Sequence, residues 1–219
     1  MHMGANLAIV GRDGARVEGT AREVRAATGA HLDVFVADLS AQSEGRRLAA
    51  EALHAPPRID VLINNVGGYW NSPHATADGL ERTFALNHLA PFLLTSLLLD
   101  RLKQRGASRV VTVASNAQSM GRIEFDDLQG QRSYSGARAY NQSKLANVLF
   151  IYELARRLRA SGVSANALHP GVASTTFGTE DPSRTQRLLV GLLRLFMKDA
   201  AQQLPRPRSM WRLLPTSMG

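Results

Sequence analysis

Short apolar runs alternate with longer amphipathic stretches along most of this chain, and that alternation limits the fold more than any other feature. Asn6–Val10, Leu32–Ala37, Ile59–Ile63, Arg109–Ala114 and Val163–Leu168 each read as a buried strand. Between them lie helical stretches. Arg12 to Thr28 ends at Gly29, Ser40 caps a helix running to about Leu53, and a long helix covers about Ala77 to Lys103 with Gly106 beyond it. A further helix covers about Ala139 to Ala160, and another about Ser183 to Met197. Strand alternating with helix means βαβ units, hence a parallel sheet in a doubly wound α/β fold. No repeat or linker divides the chain. One domain is expected over 1–201, followed by a basic, aberrant or disordered tail over 202–219.

The 219 residues suffice for one such domain with a sizeable core. With no cysteine, neither disulfides nor thiolate metal sites can form, which fits a reducing, cytoplasmic setting. Met1–Gly4 does not resemble a signal peptide, and Leu188–Met197 is far short of a membrane span, so no transmembrane segment is expected. The net charge of +8 invites a nucleic-acid reading. Half of that excess lies from Glu180 onward, where seven Lys/Arg face three Asp/Glu, and no basic stripe is interleaved with aromatics. A nucleic-acid partner is therefore not expected. His88 and His169 stand apart from carboxylate or histidine partners, so no metal site is expected either.

Ligands of open parallel sheets bind beyond the carboxyl ends of the strands. The unusual polar and glycine residues of this chain collect there. Asp38 follows the second strand, Asn64 and Gly67 the third, Ser115 the fourth, and Pro170-Gly171 the fifth. Tyr140 and Lys144 are four residues apart on a predicted helix, which puts phenol and ammonium on one face. An ammonium beside a phenol favours its anion, so the pair is suited to proton exchange with a carbonyl or alcohol oxygen.

Together these residues resemble the short-chain dehydrogenase/reductase family. Asn64-Asn65-Val66-Gly67 is similar to its Asn-Asn-Ala-Gly motif. Ser115, Tyr140 and Lys144 match its catalytic trio, and Asn87 in Leu86-Asn87-His88-Leu89 matches its helix asparagine. Pro170-Gly171 with Thr175 matches its nicotinamide-side loop. Gly121-Arg122-Ile123, Asp127-Leu128-Gln129-Gly130, Ser143-Lys144-Leu145-Ala146-Asn147 and His169-Pro170-Gly171-Val172 look like its retinol dehydrogenase-like branch. The resemblance spans about Gly4 to Ala201.

It implies a Rossmann-like fold, hydride transfer between a nicotinamide and an alcohol/carbonyl pair, and a homodimer or homotetramer. Tyr140 would exchange the proton at the substrate oxygen. Lys144 would lower its pKa and hold the cofactor ribose, Ser115 would hydrogen-bond the substrate oxygen, and Asn87 would hold a relay water. Asp38, Leu39, Asn64, Val66, Gly67, Pro170, Gly171 and Thr175 would line the cofactor. Arg12 stands where NAD-preferring relatives place an acid. Its charge can pair with a 2′-phosphate, so NADP is favoured over NAD.

The family opens with a strand and a Thr-Gly-x-x-x-Gly-x-Gly turn that cradles pyrophosphate, and neither is present in this sequence. The chain thus reads as an N-terminally truncated member. The strands at Asn6–Val10 and Ile59–Ile63 would be left with open edges that close up, leave a gap or recruit another chain. Read two bases later, codons for Ser209–Gly219 can spell a segment typical of the branch, which predicts a frame change near Gln202 or Gln203. The alternative to a working oxidoreductase is a catalytically inactive remnant or a non-catalytic dimerising module.

Overall fold

A computed structural model describes residues 5–54 and 58–171. Thr175, the helix expected over 183–197 and the segment 202–219 lie outside the described residues. The elements run β1 (Leu7–Gly11), α1 (Gly14–Thr28), β2 (Leu32–Val36), α2 (Gln42–His54), β3 (Val61–Asn64), α3 (Arg82–Phe84), a π-helical turn (Ala85–Leu89), α4 (Ala90–Arg105), β4 (Arg109–Val113), a 3-10 turn (Asn116–Met120), α5 (Gly136–Arg157) and β5 (Ser164–Leu168). Strand alternates with helix as expected, and every strand pairing is parallel.

The described strands form two sheets: β1 pairs with β2, while β4 lies between β3 and β5. β1 and β3 do not pair. Of the outcomes expected for their open edges, closure is therefore not the one adopted. The apolar side chains on these strands are correspondingly exposed, with Ile63 at 62% and Val61 at 49%. One core nevertheless runs through both parts. Ala37, Leu48 and Ala49 from the β2–α2 side pack with Leu94, Leu98 and Leu102 of α4, and with Val110, Ile151 and Ala165 around the second sheet.

Local chemistry moves several boundaries. The helix expected from Ala77 begins at Arg82, because Ala77–Leu80 turn back through Gly79, whose φ is +73°, and Thr76 N–H bonds Leu80 C=O. Glu81 then caps the helix, its carboxylate accepting from Thr83 N–H at 2.8 Å and Phe84 N–H at 2.7 Å. The same stretch is not one uninterrupted α-helix, since a π turn over Ala85–Leu89 breaks it. Ser40 does not cap α2. Its N–H bonds the Asp38 carboxylate at 3.0 Å, and the first N–H of α2, from Gln42, is taken by Asp78 at 2.8 Å. α5 starts three residues earlier than expected, capped by Ser135. Gly136 there lies so close to the Trp70 carbonyl that a β-carbon would stand 2.2 Å from its oxygen.

Arg82–Gln104 is long and apolar enough to cross a membrane by composition alone. Leu94, Leu98 and Leu102 of this stretch are core residues, and its π turn buries Asn87 completely. Those contacts mark it as the core helix of the domain. Several arginines of the described helices form surface ion pairs, Arg25 with Glu18, Arg47 with Glu44 and Glu51, and Arg156 and Arg157 with Glu153.

Candidate active site

Tyr140 and Lys144 occupy the first turns of α5, on the face turned toward the carboxyl end of β4. The Lys144 side chain is only 4% exposed, and its ammonium donates to the Val113 carbonyl at 3.0 Å. It lies 5.6 Å from the centre of the Tyr140 ring. Ser115, the second residue after β4, faces the Tyr140 phenol and favours its anion. Its hydroxyl also accepts from Ala117 N–H at 3.3 Å, capping the 3-10 turn. Three side chains that the sequence spreads over residues 115 to 144 thus meet at one strand end.

The electrostatics differ from the expectation. Burial pushes the Tyr140 phenol above its usual 10, with the Ser115 hydrogen bond pulling the other way. No depression by Lys144 is seen, because the ammonium sits over the ring rather than beside the hydroxyl and is itself desolvated. That desolvation lowers Lys144 from 10.5 to about 8. The pair therefore holds one group reluctant to ionise and another inclined to shed its proton near neutrality.

Asn87 is brought to the same place, where its side chain ties neighbouring segments together. Its side-chain oxygen accepts from Gly68 N–H at 2.8 Å, and its amide donates to Gly68 C=O at 3.0 Å and to Ser143 Oγ at 3.1 Å. Ser143 Oγ in turn donates to Tyr140 C=O at 2.7 Å. The side chain is fully occupied in tying the loop after β3 to the helix that carries Tyr140. Its backbone carbonyl accepts from Asn147 Nδ2 at 2.8 Å. Gly67 packs closely here: a β-carbon would stand a tight 3.3 Å from Asn87 Oδ1 and in ordinary contact, 3.7 Å, with Lys144 Nζ.

The other sequence candidates are more scattered. Asn64 turns inward, its amide donating to Thr95 at 3.0 Å and Thr112 at 3.1 Å, which locks β3 to β4 and α4. Val66 is half-buried in the following loop, and Leu39 packs against the core. Asp38 lies at the end of β2. Burial raises its carboxyl pKa, but the Ser40 hydrogen bonds and the charges of Arg82 and Arg12 prevail, and the net direction is down. Pro170 and Gly171 are exposed just past β5.

A dinucleotide fits this arrangement in part. Cations and a carboxylate stand at the ends of β1 and β2, and a phenol, an ammonium and a glycine meet beyond β3 and β4. The connection from β1 to α1 is only Arg12-Asp13, and the Asp13 carboxylate accepts from Arg16 N–H at the helix start. That acid thus caps the start of α1 beside Arg12.

Gly68, Ser143, Asn147 and His88 were not singled out as site residues by the sequence. For Ser143 and Asn147 a signal exists: they are four residues apart and flank Lys144 on one helix. For Gly68 the contact with Asn87 is purely tertiary.

The short chain dehydrogenase family model matches residues 1–186. Human retinol dehydrogenase 13 is 46% identical over 178 residues, covering 80% of this chain and 54% of that protein. Mouse retinol dehydrogenase 12 is 44% identical over 194 residues, covering 88% and 60%. The chain thus spans little more than half the length of these relatives. Among solved structures, an uncharacterised protein from Mycobacterium paratuberculosis matches with TM-score 0.68 and 41% identity, over 80% of this chain and 62% of that one. A short-chain dehydrogenase from Sphingobium yanoikuyae in complex with NADPH matches with TM-score 0.65 and 26% identity, over 80% and 64%. On these matches, the chain belongs to the short chain dehydrogenase family.

Proposed function

We propose that this chain carries the catalytic half of an NADP(H)-dependent oxidoreductase that interconverts an alcohol and a carbonyl. The observation that carries the reading is the meeting of Ser115, Tyr140 and Lys144, with the serine facing the phenol and the ammonium over its ring. When bound, the nicotinamide supplies or accepts the hydride. Ser115 Oγ and Tyr140 Oη together hold the substrate oxygen. In the reducing direction Tyr140 Oη gives its proton to that oxygen, and the Lys144 charge stabilises the phenolate left behind. Asn87 keeps the loop carrying Gly67 pressed against Lys144. Its carbonyl, with two lone pairs, can accept from a water as well as from Asn147.

Arg12 is proposed to pair with the 2′-phosphate, Asp38 to contact the adenine, and Leu39 and Val66 to flank it. Asn64 and Gly67 shape the loop beneath the dinucleotide, and Pro170, Gly171 and Thr175 cover its nicotinamide end. A small alcohol or carbonyl is the substrate class, with a retinoid the first to assay because relatives carry that name. A cytoplasmic homodimer or homotetramer completes the reading.

A second reading, a non-catalytic module of the same family, draws on one observation: among the described strands, β1 does not pair with β3. Fluorescence titration of the purified chain with NADPH and NADH separates the two. Micromolar NADPH affinity, with carbonyl reduction abolished in Tyr140→Phe, supports the oxidoreductase. A folded chain that binds neither cofactor at millimolar concentration supports the second reading.

A further inference from the structure

We infer that Asn147, oriented by His88, is a positioning residue that clamps the Asn87 backbone to the helix carrying Tyr140 and Lys144. The inference rests on the oxidoreductase reading.

The need for a clamp arises in the sequence. The Asn87 carbonyl would normally accept from the N–H four residues on, but that residue is Pro91, which has none. The chain passes this point through the π turn Ala85–Leu89. Asn87 itself is wholly buried, so its carbonyl, denied the Pro91 N–H, is open to a donor from elsewhere in the fold. Asn147 provides it from across the domain, Nδ2 donating to that oxygen at 2.8 Å.

Only one orientation of the Asn147 amide does this, and His88 selects it. With Nδ2 spent on the carbonyl, Asn147 Oδ1 faces His88 Nδ1 at 3.0 Å, so Nδ1 carries the proton. The imidazole is wedged among Phe84, Phe92 and Phe150, with ring centres 5.1 to 6.3 Å away. This apolar cage fixes the ring, and its desolvation keeps the imidazole neutral.

The two ends of Asn87 are therefore held by one helix. Ser143 takes its side chain and Asn147, one turn further on, its carbonyl. Lys144 lies between them. A loosened Asn87 shifts Gly67 and Gly68 relative to Lys144 and Tyr140, which disturbs the reacting geometry more than cofactor affinity.

The test compares the wild type with Asn147→Asp, Asn147→Ala and His88→Phe. Asn147→Asp keeps the shape but cannot donate to the carbonyl when ionised, and His88→Phe keeps a ring in the cage without the N–H. We expect kcat to fall about 30-fold in both Asn147 variants and about 5-fold in His88→Phe, with NADPH Kd within about twofold of the wild type. Nitrogen NMR of the wild type should show His88 as the Nδ1–H tautomer. Exchange of the Asn147 side-chain amide should speed up at least about tenfold in His88→Phe. Wild-type kcat in Asn147→Asp, or an Nε2–H tautomer at His88, overturns the clamp alone. A wild type without turnover overturns the oxidoreductase reading and the positioning role with it, while the tautomer still reports whether the contact exists. If neither Asn147 variant folds, His88→Phe decides: unchanged kcat and unchanged amide exchange overturn the proposal.

Discussion

The Lys144 ammonium sits over the face of the Tyr140 ring, 5.6 Å from its centre, and gives its hydrogen bond to the Val113 carbonyl. A buried ammonium held by a ring and one carbonyl is a poorly compensated charge. Its folded pKa of about 8 lies below its ordinary 10.5. Below pH 8 both folded and unfolded chains carry the proton, and the full cost of burying the charge is present. Between about 8 and 10.5 the folded chain has shed it while the unfolded chain has not, so this group makes stability rise with pH in that window. Lys144→Met removes a cost of about 3 kcal/mol at pH 7, less about 1 kcal/mol for the lost hydrogen bond. The variant should be more stable at pH 7 by about 2 kcal/mol in urea denaturation, an advantage that shrinks toward pH 10. A variant less stable than the parent at every pH would refute this account.

Tyr140 carries the opposite prediction. Burial holds its phenol above 10, so the cofactor-free chain should show no tyrosinate from this residue at pH 9. The difference in the near-ultraviolet titration between the wild type and Tyr140→Phe measures it directly. A phenol ionising near neutrality without cofactor would mean that Lys144 already acts on the hydroxyl.

Arg12 tests the cofactor preference. It stands exposed after β1, with its charge acting on Asp38. A charge-assisted hydrogen bond contributes about 1.5–3 kcal/mol. Arg12→Glu should therefore weaken NADPH by about 10- to 100-fold while leaving NADH unchanged or improved. Equal losses for both cofactors would remove Arg12 from 2′-phosphate recognition.

The unpaired edges predict association. Ile63 and Val61 on β3 are 62% and 49% exposed, and β1 and β3 each lack a neighbour on one side among the described strands. Flat apolar edges pair with other chains unless charge blocks them. Light scattering should show concentration-dependent growth of the wild type, and Ile63→Lys with Val61→Lys should suppress it without loss of helix signal. Identical scattering in both proteins would show that the edges do not drive association.

Much of this site can be read without coordinates. The Tyr140–Lys144 spacing, Ser115 at the end of a strand and Gly67 after another follow from periodicity and turn chemistry. Asn87 stood out in the sequence only through its match to the family's helix asparagine, and its bonds to Gly68 and Ser143, 19 and 56 residues away, have no local signature. Pro91 was in view as well. Its effect on the Asn87 carbonyl needed a helix to be drawn and Asn147 to be found across it.

The sequence by itself determined the α/β class, the order of the elements and the chemistry gathered at the strand ends. Those depend on local periodicity and on residue types, which are written along the chain. Only the tertiary structure decided that β1 and β3 stay apart, since strand pairing is a long-range choice with no local signature. It alone decided that Asn64 locks the sheet by bonding Thr95 and Thr112. It also set the direction of the Tyr140 and Lys144 pKa shifts. Desolvation depends on everything packed around a group, and here it outweighs the neighbour that the spacing placed beside it.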